Sequence, residues 1–357
     1  MELAHFLDTM IGHYGKRLPF AVYSLPDSKT VYGVFQKNDT KHTTTTYCDK
    51  GVILAPFEYD REALCIPEHE SEVMQVDYTL QPPAIKELPI SENEKEHHHH
   101  LDLVNKALRT IRLRKAHKIV VARKKELSLS YFDIGELLTR LLPLYPTAYR
   151  YVWYHPDTGL WCGASPEVLL KTEDTAFTTM SLAGTYKIEH HNGDTPHWSA
   201  KEIAEQQLVT DAIATSLQKV TSVVKISKAS TFRAGSLAHI RTDITGILKT
   251  GKATLETITA ALHPTPAVCG TPAKVAKAFI KEHETYQRGY YTGFTGPVNQ
   301  VEKSSSLFVN LRCMKIEGTR AHLYVGGGIT AESDPELEWM ETHNKLQTMG
   351  QVLQPML

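Results

Sequence analysis

Residues 321–346 read AHLYVGGGITAESDPELEWMETHNKL, an apolar strand, three glycines, a short polar turn and a helix. We place the strand at His322–Val325. Ser333 is followed three residues later by Glu336, which matches a capping box at the start of the helix. Pro335 then falls in the first turn, where its missing N–H costs nothing. This strand, turn and helix are the clearest structural signal in the chain.

The predicted helix carries a group of charged residues on one face. Glu338, Glu341 and Lys345 are spaced by three and four residues, so their side chains are neighbours. Two adjacent carboxylates repel each other unless a cation or a proton lies between them. One interpretation is a solvated face with a Glu341–Lys345 surface pair. The other is a cation site beside an anion-binding start of the helix, which the glycines favour because they let backbone N–H groups approach a ligand.

Composition excludes several classes of protein. The 357 residues are 41% hydrophobic and 22% charged, which is typical of a soluble globular protein of one large domain or two ordinary ones. A net charge of -1 gives no electrostatic footprint for nucleic acid or an acidic membrane. No apolar run approaches the roughly 20 residues that span a bilayer, and the N-terminus does not resemble a signal peptide. The five scattered cysteines suggest buried thiols in a reducing cytoplasm.

The first quarter of the chain is rich in predicted strands. Residues 1–90 contain the runs PFAVYSL, TVYGVFQ, GVILAPF and ALCIP, which we interpret as a β-meander. Residues 81–100 form a polar linker that ends in His97–His100, and we expect these histidines to be solvent-exposed rather than metal-binding. The catalytic core is placed at residues 101–350. It opens with a helix whose apolar stripe we assign to Leu101, Val104, Leu108 and Ile111.

Two ionisable residues adjoin buried strands. Lys118 begins the apolar run of HKIVVAR, residues 117–123. It is either an end residue that reaches solvent or a partly desolvated amine fit to act as a base. Residues 148–171 are predicted to form a hairpin around Asp157-Thr158-Gly159, and Glu167 follows Ser165-Pro166 and directly precedes Val168–Leu170. Its carboxyl is either paired structurally or held protonated for chemistry.

The middle of the chain adds glutamates on a second helix. The strand TTMSLAGTY is predicted to stop at Ala183-Gly184-Thr185, a turn of small residues that a ligand could approach. Ser199 and Glu202 form a capping box, which explains Glu202 without any function. Glu205, one turn further along, is not explained in this way. The core face of this helix is assigned to Ile203, Leu208, Ile213 and Leu217.

Two later residues stand out for their surroundings. His263 lies in the loop ALHPTPAVCGTP, where prolines keep it out of a helix. Arg312 falls in a predicted strand SLFVNLRCM, opposite in phase to Val309 and Leu311. A guanidinium within an apolar strand needs an anion, from a partner residue or from a substrate.

Eight motifs in this order resemble the chorismate-utilising enzymes, the isochorismate, salicylate, anthranilate and aminodeoxychorismate synthases. They are HKIVVAR, GASPEVLL, SLAGT, KEIAEQQLV, ALHPTPAVCGTP, RGYYTG, LR and GGGITAESDPELEWMETHNK. The resemblance covers roughly residues 100–350. It implies an α+β fold, a single large domain over residues 1–357 of two stacked, mostly antiparallel sheets flanked by helices. The active site would lie between them.

The resemblance also implies a Mg²⁺-dependent reaction on chorismate and a role for each matching residue. Lys118 would be the general base and Glu167 the general acid. The magnesium ligands would be Glu205 and Glu341, assisted by Glu338 and Glu202. The substrate-binding residues would be Arg312, Tyr291, Lys345, Gly328, Leu182, Gly184, Thr185 and His263. Gln206 and His343 depart from the family pattern, in which histidine and glutamate are common at these positions, and residues 186–198 follow no family pattern.

With a lysine in HKIVVAR, the chain resembles the enzymes of the family that use water, since anthranilate synthases carry a glutamine at this position. SLAGT and ALHPTPAVCG are most similar to isochorismate synthases. We therefore expect an isochorismate synthase, an isomerase that adds water at C2 of chorismate with loss of the C4 hydroxyl, for menaquinone or siderophore synthesis. The alternatives are a salicylate synthase, which goes on to eliminate pyruvate, an aminodeoxychorismate or anthranilate synthase component, and a non-catalytic binding relative. We expect a cytoplasmic monomer.

Overall fold

The computed structural model describes residues 2–47, 49–58, 62–86, 88, 90–91, 93–187, 196–234, 237–251, 253–299 and 304–357. These residues form two large β-sheets flanked by helices. The helices are α1 (Leu3–Gly15), α2 (Glu94–Arg112), α3 (Ile134–Leu144), α4 (Ala200–Leu217), α5 (Leu255–Leu262), α6 (Ala273–His283) and α7 (Pro335–Leu353), with short 3-10 turns at Glu68–Glu70 and Gln354–Met356.

The first sheet has nine strands among the described residues, and all its pairings are antiparallel. Its strands, from one edge to the other, are β15 (Gly270–Thr271), β7 (Lys118–Ser128), β19 (Arg320–Ile329), β18 (Cys313–Glu317), β9 (Gly159–Ser165), β8 (Tyr149–His155), β1 (Phe20–Ser24), β2 (Thr30–Gln36) and β6 (Ser71–Asp77).

The second sheet has ten strands over the described part of the chain, again paired antiparallel. In order they are β12 (Thr221–Ile226), β14 (Leu237–Leu248), β11 (Ala176–Lys187), β10 (Val168–Glu173), β17 (Ser304–Val309), β16 (Phe294–Val298), β4 (Gly51–Ala55), β5 (Ala63–Pro67) and β3 (His42–Thr44), while β13 (Ser230–Ala234) pairs with β14.

Three apolar layers hold these elements together. Between the sheets lies an aromatic core, in which Tyr149 stacks on Phe308 across the two sheets with ring centroids 4.2 Å apart. The outer face of the first sheet is covered by α1, α3 and α7, and that of the second by α4 and α5. Burial of these faces is the main stabilising contribution. The predicted α+β fold of two stacked antiparallel sheets is confirmed.

The N-terminal part is not the predicted meander. Strands β1, β2 and β6 belong to the first sheet, whereas β3, β4 and β5 belong to the second. Helix α1, which the sequence analysis did not predict, packs Phe6 and Met10 into the core under the first sheet. The apolar runs identified strands β1, β2, β4 and β5 correctly, but they carry no information on which sheet each strand joins.

The predicted linker is partly structured. Helix α2 begins at Glu94 and includes all four histidines, of which His100 is buried. The buried stripe of α2 contains Leu103 rather than Leu101. Upstream, Gln347 of α7 accepts a hydrogen bond from the backbone N–H of Leu88 and donates one to its carbonyl, at 3.0 Å each. This part of the chain is therefore attached to α7 and does not hang free.

The predicted strand SLFVNLRCM is two strands in different sheets. β17 ends at Val309 in the second sheet, and β18 begins at Cys313 in the first. The chain crosses between the sheets at Arg312, which has a positive φ of 47°. This left-handed conformation is uncommon for a residue with a side chain. It is the bend that places Arg312 between the two sheets.

Helix α4 also presents a different face from the one predicted. Ile203 is 55% exposed, and the buried positions are Glu205, Gln206, Val209, Thr210, Ile213 and Leu217. Gln206 is buried among hydroxyl groups, and its Nε2 lies 2.6 Å from Thr242 Oγ1 and 3.0 Å from Ser181 Oγ. The prediction named only apolar residues for the core face of α4, whereas the observed core face also contains polar residues.

Two remaining expectations concern thiols and membranes. Cys65, Cys162, Cys269 and Cys313 are free and buried, and Cys48 lies outside the described residues. Among the described residues, no helix combines the length and the apolar character needed to cross a bilayer.

Candidate active site

A cavity opens between the two sheets at the end where α4 and α7 meet them. Most of the predicted site residues line it: Lys118, Glu167, Leu182, Gly184, Thr185, Glu205, Tyr291, Arg312, Gly328, Glu341 and Lys345. Lys118 and Lys345, which are 227 positions apart in the sequence, thus line the same cavity. The fold gathers them because β7 and β19 are neighbours and α7 follows β19 directly.

Lys118 begins β7 and is almost completely buried. Its side chain is 1% exposed, and Nζ lies 2.8 Å from Glu205 Oε1 on α4. An amine so deeply buried does not reach solvent, so the interpretation of Lys118 as an end residue that reaches solvent is wrong. The structure supports the alternative, a desolvated amine inside a cavity, with a carboxylate as its partner in the absence of substrate.

Glu167 occupies the bend between β9 and β10, where the chain passes from the first sheet to the second. It is 2% exposed. Burial raises the pKa of this carboxyl to about 8, and this rise outweighs the opposing effects of the Lys118 charge and the Thr265 hydroxyl. Glu167 is therefore protonated at neutral pH and can donate a proton.

The glycine triplet belongs to strand β19, not to a helix start. Gly326, Gly327 and Gly328 pair with Ala122, Val121 and Val120 of β7. A Cβ on Gly328 would lie 2.5 Å from Glu205 Oε1 and 2.6 Å from Lys118 Cε. The predicted anion-binding turn is therefore wrong: the glycines clear space on the strand for the side chains of Lys118 and Glu205.

Helix α7 starts one residue later than predicted and brings two charged residues to the cavity. Asp334, not Ser333, is the N-cap, and its carboxylate accepts from the backbone N–H groups of Glu336 and Leu337. Glu341 and Lys345 form an ion pair with Oε1 and Nζ 2.5 Å apart, only 24% and 14% exposed. They are not on a solvated face, so the surface-pair interpretation is wrong.

Glu338, one turn before Glu341, is buried behind the cavity. Its Oε1 lies 2.8 Å from Lys201 Nζ on α4, and a Cβ on Gly327 would lie 3.0 Å from its Oε2. Burial, and then the charge of Glu341, raise the pKa of Glu338 to about 7. Burial also tends to raise the pKa of Glu341, but Lys345 more than compensates, so that pKa is below its ordinary value. The carboxylates of α7 thus affect each other electrostatically.

Three glutamates and three lysines therefore form a pairwise-neutral cluster, Glu205–Lys118, Glu338–Lys201 and Glu341–Lys345. Among the described residues, no three carboxylate, imidazole or thiol groups are close enough together to hold a metal ion in this arrangement. The donor type nevertheless fits a hard divalent cation such as Mg²⁺, which prefers a few carboxylates together with water and substrate oxygens. The three carboxylates come from two helices that face the same glycine strand, and each is held by an ammonium that a cation could replace.

The pairs also fill the cavity, whose free volume is about 80 Å³. This is space for a few water molecules. A larger anionic ligand would have to open the Lys118–Glu205 and Lys345–Glu341 contacts. The lysines released in this way would then face the ligand.

Arg312 and Tyr291 line another part of the wall. Arg312 Nη1 lies 3.3 Å from Thr348 Oγ1, a neutral partner. Tyr291 is 2% exposed, and its ring stacks on Tyr324 with centroids 5.4 Å apart. A partly buried guanidinium with a neutral partner is well placed to bind an anion.

Gly184 and Thr185 also differ from the prediction in their backbone. Strand β11 does not stop there but continues to Lys187 with a register shift between Ala183 and Tyr186. Gly184 has a φ of +71°, and a Cβ at this position would come within 3.0 Å of Glu202 Cβ. The small residues form a bulge, a device that redirects a strand beside a site.

Two predicted site residues lie apart from the cavity. The Glu202 carboxylate accepts a hydrogen bond from the Ser199 N–H at 2.9 Å, as a capping box requires. His263 does not line the cavity, and its Nε2 lies 3.1 Å from the carbonyl oxygen of Phe57. Burial lowers the pKa of His263 to about 4. The structure does not bring either residue together with the group that lines the cavity.

His239 lines the cavity and was missed by the sequence analysis. Its Nδ1 lies 2.7 Å from the carbonyl oxygen of Gly184, while its Nε2 is buried without a partner among the described residues. Burial, and then the charge of Arg312, lower the pKa of His239 to about 3, so the ring is neutral. Nδ1 must then carry the proton, which leaves Nε2 as an acceptor. A histidine within the apolar run of β14 was the available signal.

A family model described as "Chorismate binding enzyme" matches residues 36–354. Among curated proteins, isochorismate synthase EntC of Escherichia coli is 31% identical over 65% of this chain and 61% of its own length. Isochorismate synthase MenF of the same species is 31% identical over 71% of this chain and 59% of its own length. The chain thus spans about three fifths of these relatives.

Solved structures share the fold along nearly the whole chain. A putative 2,3-dihydroxybenzoate-specific isochorismate synthase from Bacillus anthracis superposes with a TM-score of 0.82 at 22% identity, covering 98% of this chain and 99% of its own. The menaquinone-specific isochorismate synthase of Escherichia coli gives 0.77 at 23% identity, covering 94% and 88%. Anthranilate synthase component I from Streptococcus pneumoniae gives 0.66 at 18% identity, covering 92% and 89%.

Proposed function

The chain belongs to the family of chorismate-binding enzymes, and we propose on this basis that it is an isochorismate synthase. The reaction adds water at C2 of chorismate and expels the C4 hydroxyl, so that the product is an isomer of the substrate. The named relatives support this branch of the family.

The observation that carries the proposal is the placement of a base and an acid in one cavity. Lys118 enters from the first sheet, and Glu167 sits at the bend into the second. Both side chains are at most 2% exposed. Allylic substitution needs a proton acceptor for the incoming water and a proton donor for the leaving hydroxyl. A protein that only bound chorismate would need neither group.

Proton transfer in this proposal uses these two side chains. Lys118, the ammonium partner of Glu205, first gives up a proton, and its amine then takes a proton from the water whose oxygen bonds to C2. Both ring double bonds shift by one position, and the C4–oxygen bond breaks. Glu167 gives its proton to the departing hydroxyl, which leaves as water. One water enters and one leaves, so the atoms balance, and the carboxylate and ammonium that remain are then reset by proton exchange.

The rest of the cavity would hold the substrate, which carries two carboxylates. Arg312 and Tyr291 would bind one of them, and Lys345 would add positive charge once Glu341 is engaged elsewhere. Leu182, Gly184, Thr185 and Gly328 would shape the wall. Each of these residues lines the cavity.

We propose Mg²⁺ as the cofactor, held by Glu205 and Glu341 with Glu338 nearby. Glu202 is proposed to assist from outside the cavity wall. A bound magnesium ion would supply positive charge to the ring carboxylate of the substrate. The chain's own contribution is a set of carboxylates presented by α4 and α7 on either side of the glycine strand.

A product assay tests the proposal. Purified protein is incubated with chorismate and Mg²⁺, the ring products are separated by chromatography, and pyruvate is quantified. An isomer of unchanged mass without pyruvate is expected. Salicylate with an equal amount of pyruvate would show a salicylate synthase instead, and no conversion even with added ammonium would contradict a catalytic role for this chain alone.

Variants assign the roles. Lys118→Ala and Glu167→Gln should each abolish turnover because they remove the base and the acid. Matched controls are Lys124→Ala, an exposed lysine on the same strand as Lys118, and Glu173→Gln, an exposed glutamate on β10. Full activity in either of the first two variants would contradict the assignment. We propose that the product serves menaquinone or siderophore synthesis; of the two similar isochorismate synthase structures, one is menaquinone-specific and the other 2,3-dihydroxybenzoate-specific.

A further inference from the structure

Lys201 contacts the carboxylate cluster although it does not line the active-site cavity. It lies in the first turn of α4, and its Nζ is 2.8 Å from Glu338 Oε1. The Glu338 side chain is 2% exposed and that of Lys201 is 24% exposed. The charge of Lys201 also helps to lower the pKa of Glu341. Burial tends to lower the pKa of Lys201 itself, but the charges of Glu338, then Glu341 and Glu205, raise it above its ordinary value. One ammonium thus interacts with all three buried carboxylates.

A second cavity adjoins the cluster on the side of Lys201. Its volume is about 730 Å³. Lys201 and Glu205 form part of its wall, and the remainder includes the small or apolar side chains of Ala200, Ala204, Leu208 and Ala331. Because Lys201 is a long side chain on four rotatable bonds, this space allows its ammonium to withdraw from Glu338 without disturbing α4.

The three lysines of the cluster differ in what they could bind next. Lys118 and Lys345 line the substrate cavity. If their glutamates turned to a cation, both could contact an anionic substrate. Lys201 is not in that wall, so its charge would remain uncompensated beside the carboxylates unless it moved into the second cavity.

We propose that Lys201 is a positioning residue that competes with the divalent cation for Glu338 and thereby weakens metal binding in the absence of substrate. With three ammonium groups against three carboxylates, the cluster attracts a cation only weakly. Metal binding then depends on the additional negative charge that the substrate brings. This inference rests on the magnesium site proposed above.

The test measures metal binding without substrate and without turnover. Mn²⁺ replaces Mg²⁺ as the probe, because the free ion is quantified by electron paramagnetic resonance. EDTA-stripped, desalted protein is titrated as wild type, Lys201→Met and Lys201→Gln. Both variants remove the charge. Glutamine also keeps a hydrogen-bond donor for Glu338, so Lys201→Gln can still be measured if Lys201→Met does not fold. Circular dichroism confirms that each variant is folded.

Both charge-removing variants should bind Mn²⁺ about tenfold more tightly or better than wild type, since a competing charge within a few ångström is lost. Lys201→Arg, which keeps the charge, should bind like wild type. The matched control is Lys125→Met: Lys125 is also a buried lysine paired with a glutamate, Glu96, at 2.8 Å, but lies further along β7. Its loss should leave Mn²⁺ affinity unchanged.

Each other outcome overturns a different statement. If wild type binds Mn²⁺ but the Lys201 variants bind it equally or more weakly, the competition is wrong and the metal site stands. An equal gain in Lys125→Met would show a general charge effect and would also overturn the role of Lys201. If no form binds Mn²⁺ at millimolar concentration, Lys201 is not what weakens metal binding without substrate, and the inference is wrong; the same titration with chorismate present then tests the magnesium site by itself.

Discussion

Glu167 is a carboxyl group whose surroundings decide its protonation. Its pKa of about 8 arises mainly from burial. If its protonated form is the acid that acts on the leaving hydroxyl, we expect kcat/KM to be constant with respect to this group below pH 8 and to fall about tenfold per pH unit above it. A pH–rate profile from pH 6 to 10 with saturating Mg²⁺ measures this. A profile that stays flat to pH 10 would exclude Glu167 as the acid.

The same pKa makes a prediction about stability. Glu167 keeps its proton in the folded protein to about pH 8, whereas its unfolded value is near 4.5. A raised folded pKa contributes stability that is complete below the unfolded pKa and is lost as the pH rises through the folded pKa.

Glu167→Gln cannot ionise, so wild type should lose stability relative to this variant between pH 5 and pH 8. The expected change is on the order of 4 kcal/mol. Urea unfolding of both proteins at pH 5, 7 and 9 measures the difference. A difference independent of pH would show that Glu167 is not held protonated. Because the comparison uses unfolding alone, it tests the burial of Glu167 separately from its role in catalysis.

At the level of single residues, sequence reasoning found charges on a common face but not their partners. The spacing of Glu338, Glu341 and Lys345 follows from helix geometry and is confirmed. The partner of Glu338, Lys201, lies on an element far away in sequence, so no periodicity shows it. His263 was chosen from its prolines and His239 was missed, because the position of each ring relative to the cavity is set by how distant elements pack together, which a single sequence does not encode.

At the level of elements, two glycines of β19, Gly326 and Gly328, both line the cavity but face different atoms, so their substitution is expected to act differently. A Cβ on Gly328 would meet the mobile ends of Lys118 and Glu205, whereas a Cβ on Gly326 would lie 2.7 Å from the backbone oxygen of Val121. Gly328→Ala should therefore lower kcat by about tenfold or more by displacing the base, with a small effect on unfolding.

Gly326→Ala is the matched comparison on the same strand. A backbone clash cannot be relieved by a rotamer change, so we expect a loss of about 2 kcal/mol in the free energy of unfolding. Chemical denaturation and initial rates measured on both variants check the pair. Equal effects of the two substitutions on activity and on stability would contradict the division between them.

The strands were easier to find than their order. Short runs rich in β-branched, aromatic and other apolar residues located β1, β2, β4, β5 and β7 correctly, because such residues favour strands. The apolar run SLFVNLRCM was predicted as one strand in the same way, although it contains the end of β17 and the start of β18. The break between them is a left-handed residue, Arg312, and no glycine or proline announced it. Its conformation is held by the two sheets that it connects.

The whole molecule is organised by N-terminal strands that enter both sheets. β1 pairs with β8 in the first sheet, and β4 pairs with β16 in the second. The proposed boundary near residue 90 therefore separates segments that share two cores. The family resemblance predicted one domain, and these pairings supply a physical reason: neither segment alone can cover the apolar faces that it would expose.

Cleavage of the chain tests this unity directly. Residues 81–86 are mostly exposed, so a protease recognition sequence inserted between Pro82 and Pro83 should be cut without disturbing either sheet. After cleavage, the two fragments should elute together in gel filtration and unfold in urea in one transition, because the β1–β8 and β4–β16 pairings persist. Separate elution, or two transitions, would show two independent domains. The uncleaved insertion protein is the control, since it shares the inserted sequence but not the break, and any activity lost on cutting is then due to the break alone.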